Sequence, residues 1–209
     1  MIKPQMKKHS ISLSLFMLLG SLVACSGSSL DGPGAGSIGD TRFYSLSAPL
    51  PQTSTIHNSV SVGIGPIDIP RLLNRPQIVS RKGNTEIIIA EKHQWGGSYK
   101  EELIKALTDN FSSLLKTERI EEYPWKSSFK PNYQVRIDIE SFDGQINKSV
   151  VLNARWRLLK GRTEVLVKRA VIEVAVNKQS STAYNAYVKA QSEAIRRLSQ
   201  EIITYINKG

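Results

Sequence analysis

The chain predicts an α/β fold of the α+β-like kind: a single domain with a largely antiparallel or mixed sheet and two main amphipathic helices packed on it. Three observations predict it. Two segments place apolar residues at helical spacing, several others alternate apolar and polar residues with period two, and short turn signals join the alternating ones. Helices with one apolar stripe and strands with one apolar face have to cover each other, which stacks helices on a sheet. The chain has 209 residues, enough for one hydrophobic core and too few to favour two.

The elements follow in order from about Thr41. Arg42-Phe43-Tyr44-Ser45-Leu46 reads as a first strand, closed by Pro49 and Pro51. Val60, Val62 and Ile64, then Ile67 and Ile69, make a second, bent at Gly65-Pro66. Gln77 to Arg81, a Lys82-Gly83-Asn84 turn and Glu86 to Ile89 form a hairpin. Trp95-Gly96-Gly97 breaks the chain before a helix. Ser98 with Glu101 three positions on has capping-box spacing, and Leu103, Leu107, Phe111, Leu114 and Leu115 form one stripe.

The second half is strand-rich. Tyr133, Val135, Ile137 and Ile139 alternate with polar residues, and Asp143-Gly144 signals a turn or bulge. Leu152, Ala154, Trp156 and Leu158 alternate in the next strand, and a Lys160-Gly161-Arg162 turn leads into Thr163 to Val176. There Val165 and Val167 are odd-numbered, whereas Ile172, Val174 and Val176 are even. If all face one core, an inserted residue is required, which predicts a β-bulge around Lys168 to Val171. A long helix from about Thr182 to Asn207 ends the chain, its stripe running from Tyr184 through Val188, Gln191, Ile195, Leu198 and Ile202 to Tyr205. No internal repeat is visible.

The residues before Thr41 are of a different kind. Lys3, Lys7 and Lys8 precede an apolar run from Ile11 to Leu19, and the run exits through Leu22-Val23-Ala24-Cys25. Charged residues, a short apolar run and a small-residue exit are the grammar of a secretory signal. Leu-Val-Ala-Cys resembles the lipobox of bacterial lipoproteins, in which cleavage leaves the cysteine first and lipids are attached to it. The competing readings are a buried structural cysteine and a membrane-spanning helix. A span needs about 20 apolar residues, and this run is shorter and interrupted by Ser12, Ser14, Gly20 and Ser21. The division is therefore a signal peptide over 1–24, a lipidated Cys25 with a Gly/Ser-rich linker over 25–40, and the folded domain over 41–209. A linker of about 15 such residues reaches roughly 20 Å. It clears lipid head groups and does not cross a periplasm.

Cys25 is the only cysteine, so no disulfide is available. The formal charge is +10, of which the three signal lysines supply three. On an anchored, exported domain the remaining charge meets anionic head groups or acidic partners, and nucleic acid is excluded by compartment. Enzyme signatures are sparse. There is no nucleophile elbow, no phosphate-cradling loop and no His-Glu-x-x-His. Gly63-x-Gly65 runs into Pro66 and opens no helix, so it fails as a dinucleotide loop. His57 lies in a Thr/Ser/Asn loop, and neither it nor His93 has metal-ligand spacing. His93 with Glu91 is the one arrangement a hydrolase would use, and no nucleophile accompanies it. The reading is non-catalytic, with no cofactor and no metal.

Three features suit recognition instead. The segment from Gly65 to Val79 holds Asp68, Arg71 and Arg75 among prolines that fix φ, which suits a partner-binding loop or an internally paired connector. Tyr123-Pro124-Trp125 is either an interface anchor or a core plug. Arg155, Arg157, Lys160, Arg162, Lys168 and Arg169 surround one hairpin, there to meet lipid phosphates or an acidic partner, or as a solvated face.

An ordered set of these pieces resembles the ABC-type transport auxiliary lipoprotein family. It comprises Phe43-Tyr44-Ser45-Leu46, Val62 to Pro70, Arg75 to Arg81, Trp95, Tyr123-Pro124-Trp125, Tyr133-x-Val135, Phe142-Asp143-Gly144 and Ala154-x-Trp156. The resemblance spans the whole domain. It implies an outer-membrane lipoprotein with its domain in the periplasm, working with a periplasm-spanning MCE-domain protein and an inner-membrane transport component to move lipids and maintain the envelope. Ser26 after Cys25 matches the outer-membrane sorting pattern. The partner-binding candidates are Asp68, Arg71, Arg75, Trp95, Trp125, Arg155 and Arg157. After Trp95 this chain has Gly96-Gly97 where the family is expected to carry an acidic residue and a proline. Self-assembly into a ring would suit a protein that caps a tube. The alternative is a lipoprotein subunit of another envelope assembly, in secretion or cell-wall machinery. Cys25→Ser is expected to abolish labelling by palmitate and to release the protein from the membrane fraction; an unchanged membrane-bound, labelled band would refute the anchor.

Overall fold

The computed structural model describes residues 41–48, 59–177 and 182–208. Cys25, the linker, Pro49, Pro51 and His57 lie outside them. The strands are β1 (Arg42–Tyr44), β2 (Val62–Asp68), β3 (Gln77–Lys82), β4 (Glu86–Trp95), β5 (Ile120–Glu122), β6 (Tyr133–Gln145), β7 (Ser149–Lys160) and β8 (Thr163–Ala175). The helices are α1 (Tyr99–Leu115), between β4 and β5, and α2 (Ala183–Ile206), after β8. They build the expected α+β fold from two mixed sheets rather than one.

The larger sheet has the order β5-β2-β6-β7-β8. Its first three strands are parallel neighbours, and β6, β7 and β8 form an antiparallel meander. The smaller sheet has the order β1-β4-β3, with β1 parallel and β3 antiparallel to β4. Period-two alternation decides the core face. Ile137, Phe142, Leu152, Ala154 and Trp156 stand on one side of β6 and β7 and are fully buried. The predicted helix stripes cover that side: Leu103, Leu107 and Phe111 from α1, and Ile195, Leu198 and Ile202 from α2, are all buried. Trp156 lies 5.7 Å from the Tyr205 ring of α2, and Phe142 lies 6.4 Å from the Tyr99 ring of α1.

Two polar links, one part-buried and one buried, tie the smaller sheet to this core. Arg81 Nε donates to Asp143 Oδ1 at 2.7 Å, joining β3 to β6. The Tyr187 hydroxyl of α2 donates to the Val79 carbonyl at 3.0 Å, and burial pushes the titration of this phenol up. Both links satisfy polar groups that would otherwise be costly inside the fold.

Three expectations need correction. Ser98 is the N-cap of α1, but its side chain makes no cap bond. The first-turn acid put to use is Glu102, whose Oε2 accepts from Ser45 Oγ at 2.6 Å and Leu46 N at 2.9 Å. A tertiary tie to the segment after β1 thus replaces the local capping box. Asp143-Gly144 is neither turn nor bulge; the two residues pair with Val151 and Val150 inside the β6–β7 ladder. Gly144 is required there by close approach, since a Cβ would fall 2.1 Å from the Ser149 carbonyl oxygen. The β8 bulge exists but is not at 168–171. Leu159 pairs with Glu164 and Leu158 with Leu166, so Val165 is the extra residue. Val165, Val167 and Val171 all point away from the helices and are exposed, so the odd and even valines serve opposite faces. Assuming that every valine faced the core misplaced the bulge.

Two glycines separate steric approach from backbone strain. Gly161 has φ +60 with nothing within 4 Å of an added Cβ, so Gly161→Ala is expected to cost about 1 kcal/mol for its left-handed conformation. Gly144→Ala must also move the β7 backbone, and its loss in a urea unfolding series is expected to be the larger. Equal losses would show that the ladder accommodates the methyl.

Candidate functional site

The face of the larger sheet turned away from the helices holds most of the sequence-predicted site residues. Register places Asp68 of β2 beside Asp138 of β6, Asp138 beside Arg155 of β7, and Arg155 beside Arg169 of β8. Two carboxylates followed by two guanidiniums therefore cross four strands in one row. In the neighbouring row Arg136 stands beside Arg157, which stands beside Val167. Like charges directly opposite each other are unfavourable, and the ion pairs form on diagonals instead. Arg157 reaches Asp138 at 3.2 Å and Glu164 at 3.9 Å, and Arg169 reaches Glu140 at 2.6 Å. Arg155 has no ion pair among the described residues. The Arg136 Nε is buried and without a hydrogen-bond partner among them. Such half-exposed pairs contribute roughly 0–1 kcal/mol each, so this mosaic adds little to stability and leaves guanidinium capacity unused.

One border of the same face is aromatic. Trp125 lies over Gly63, whose added Cβ would come 2.5 Å from the indole, and Tyr123 packs on Gly65, with 2.9 Å between their Cβ positions. Tyr123 meets Trp125 edge-on at 5.4 Å, and Phe129 follows at 6.2 Å. The Gly63-x-Gly65 pattern that fails as a dinucleotide loop is thus the seat of an aromatic cluster, one side chain removed so that the Trp125 ring can lie on the strand and the other so that the Tyr123 Cβ can approach it. Gln134 completes the seat by donating to the Gly65 carbonyl at 2.8 Å.

The remaining predicted residues separate. Arg71 is exposed at the turn after β2. Arg75 turns back and donates to the Leu72 carbonyl at 2.8 Å, bracing its own loop. Trp95 is only 4% exposed and stacks on Tyr99 at 4.6 Å; its indole is part of the core. Lys168 leaves the basic cluster altogether, donating to the Tyr205 hydroxyl of α2 on the helix side. Sequence reading missed Arg136 and Asp138, which register alone puts between the predicted residues, and Phe129, for which composition carries no signal.

His93 has a packing role. Its Nδ1 lies 2.7 Å from the Tyr44 hydroxyl, and its ring stacks on Tyr184 at 3.6 Å. One imidazole thus joins β1, β4 and α2. Desolvation, helped by the charge of Arg42, holds its pKa below the usual range. No cluster of three or more metal-ligating side chains occurs among the described residues.

The surface is an open sheet face on an α+β scaffold, charged, bordered by aromatics and backed by a buried core. The family model for the ABC-type transport auxiliary lipoprotein component matches residues 44–203. The chain belongs to that family, whose members are lipoproteins serving as auxiliary components of transport systems. The crystal structure of protein XCC0632 from Xanthomonas campestris, of family DUF330, aligns with a TM-score of 0.62 at 16% identity. The alignment covers 79% of this chain and 94% of that one. A second crystal structure, of an uncharacterised protein, aligns with a TM-score of 0.61 at 17% identity, covering 79% and 98%. At such identities the likeness shows the fold. No curated protein matches the chain. No helix among the described residues is long and apolar enough to cross a membrane.

A depressed imidazole pKa means that the folded state holds the proton less readily than the unfolded chain. The His93 contribution to stability is therefore present above about pH 6.5 and lost as the pH falls through the lowered value. Melting temperature is expected to drop between about pH 7.5 and 5.5, and to drop less in His93→Gln. Parallel pH profiles for the two proteins would assign the titration to another group.

Proposed function

We propose that this chain is an outer-membrane lipoprotein, acylated at Cys25, that works without catalysis as the docking component of an intermembrane lipid-transport system. Its domain would stand in the periplasm on the 25–40 linker. There it would receive an MCE-type periplasm-spanning protein coupled to an inner-membrane partner. The family match across residues 44–203 is the observation that carries this reading. The outer-membrane address rests on Ser26 after the cysteine.

The geometry supports a docking role in a specific way. The row Asp68, Asp138, Arg155, Arg169 has polarity, acidic at β2 and basic at β8, so a charged partner surface would meet it in one orientation. A short linker keeps that face near the anchoring membrane, and the partner has to come to it. Of the two groups a hydrolase would use, His93 is engaged in packing by Tyr44 and Tyr184, and the Glu91 side chain is exposed.

The test is co-purification and crosslinking of the native, membrane-extracted protein with an MCE-domain protein, together with envelope permeability after deletion. Association and a permeability defect are expected. Arg155→Glu with Arg157→Glu should weaken the association about tenfold or more while leaving far-ultraviolet circular dichroism unchanged. Recovery of secretion or cell-wall components in place of an MCE protein would overturn the lipid-transport assignment.

A further inference from the structure

We infer that the free edge of β8 is a pairing site for an extended, acidic and apolar strand of a partner protein. β8 is the last strand of its sheet and is 13 residues long, roughly 40 Å of ladder. In an antiparallel pair the backbone groups not used by β7 point to the other edge, where no strand pairs among the described residues. Arg197 of α2 takes the Glu173 carbonyl at 3.4 Å, which places the open stretch before it, from Thr163 to Ile172.

Edges of this length are normally guarded by proline, inward charge or brevity. β8 contains no proline, and the one inward lysine, Lys168, is engaged by Tyr205. The outward side chains in the middle of the edge are apolar around Arg169, with Glu164, which reaches Arg157, and Glu173 towards its ends. Val165, Val167 and Val171 are 51%, 49% and 67% exposed, and Arg169 stands between the last two. Single exposed valines are ordinary, but three beside a free edge make a surface that a paired strand would cover.

Charge selects the occupant. Arg155 and Arg169 face each other across β7 and β8, with only Arg169 neutralised, by Glu140. A carboxylate laid opposite Arg169 on an added strand would extend the row Arg155–Arg169 by one strand, meeting Arg169 directly and lying about 10 Å from Arg155, so that it eases the like-charge pair through Arg169. Flanking apolar residues on the same face would cover Val167 and Val171. A second copy of this chain is the competing occupant: antiparallel pairing over the open stretch, centred on Val167, would set Arg169 opposite Val165 and supply no carboxylate to it, and dimerisation is one of the outcomes tested below. The inference deepens the docking reading above by naming the kind of segment that docks, and it can be tested without knowing the partner.

The probe is a fluorescent nine-residue peptide of alternating valine and glutamate, titrated into the membrane-extracted protein. Binding is followed by anisotropy, and β8 by amide hydrogen exchange. Saturable binding, slowed exchange confined to 163–172, and about tenfold weaker binding in both Arg169→Glu and Val167→Lys are expected. Circular dichroism of each variant establishes that it is folded, and the valine–lysine peptide should not bind. Four outcomes would overturn the inference: no saturable binding, equal binding of the lysine peptide, protection elsewhere than β8, or β8 protected without peptide as the protein dimerises. None of the four bears on co-purification with an MCE protein, so the edge and the transport assignment fail separately.

Discussion

Ile137, Phe142, Leu152, Ala154 and Trp156 project from one face of β6 and β7, and water is kept from all of them. Covering that face is the constraint on which the rest of the molecule depends. Each large side chain buried there contributes on the order of 2–3 kcal/mol, and only a helix with a stripe broad enough to span two strands can supply the cover. α1 and α2 both have such stripes, and both are spent on this face. The consequence for function is direct. With both helices on one side, the other side of the five-stranded sheet has no layer of its own, and its side chains must be soluble.

That open face is therefore charged by necessity, and the pattern of the charge is what makes it specific. Register sorts Asp68, Asp138, Arg155 and Arg169 into a graded row, although in sequence they are scattered over a hundred residues. Side chains on a strand cannot slide past their neighbours, so the gradient is as rigid as the ladder beneath it. Gly63 and Gly65 add the aromatic border by the opposite device, removing side chains so that Trp125 and Tyr123 can approach the backbone. The outcome is a sheet face with a fixed charge polarity and an aromatic rim.

The smaller sheet plays a different part. It is held to the core by a few buried or part-buried links: Arg81 with Asp143, Tyr187 with the Val79 carbonyl, and the Tyr44–His93–Tyr184 cluster. β1, the first strand of the described residues, is among the elements so fastened. Glu102 also holds the chain just after β1, at Ser45 and Leu46. Buried polar ties of this kind resist separation because each leaves an unsatisfied group when broken.

By itself the sequence determined most of the local structure. Alternation in β6 and β7, the hairpin at Gly83, the bend at Gly65-Pro66 and both helix stripes are written in residues close together along the chain, because apolar periodicity is a local property. The site was legible only in fragments. Asp68, Arg155 and Arg157 stood out as charges and Trp125 as a ring, yet neither Asp138, which joins Asp68 to the arginines, nor the seat at Gly63 could be read. Strand order, register and the side on which helices pack were decided by tertiary structure, since they depend on pairings between distant segments. For the same reason Val165 and Val167 looked like core residues in sequence: two faces of one strand share a composition, and only the placement of α1 and α2 decides which face meets water.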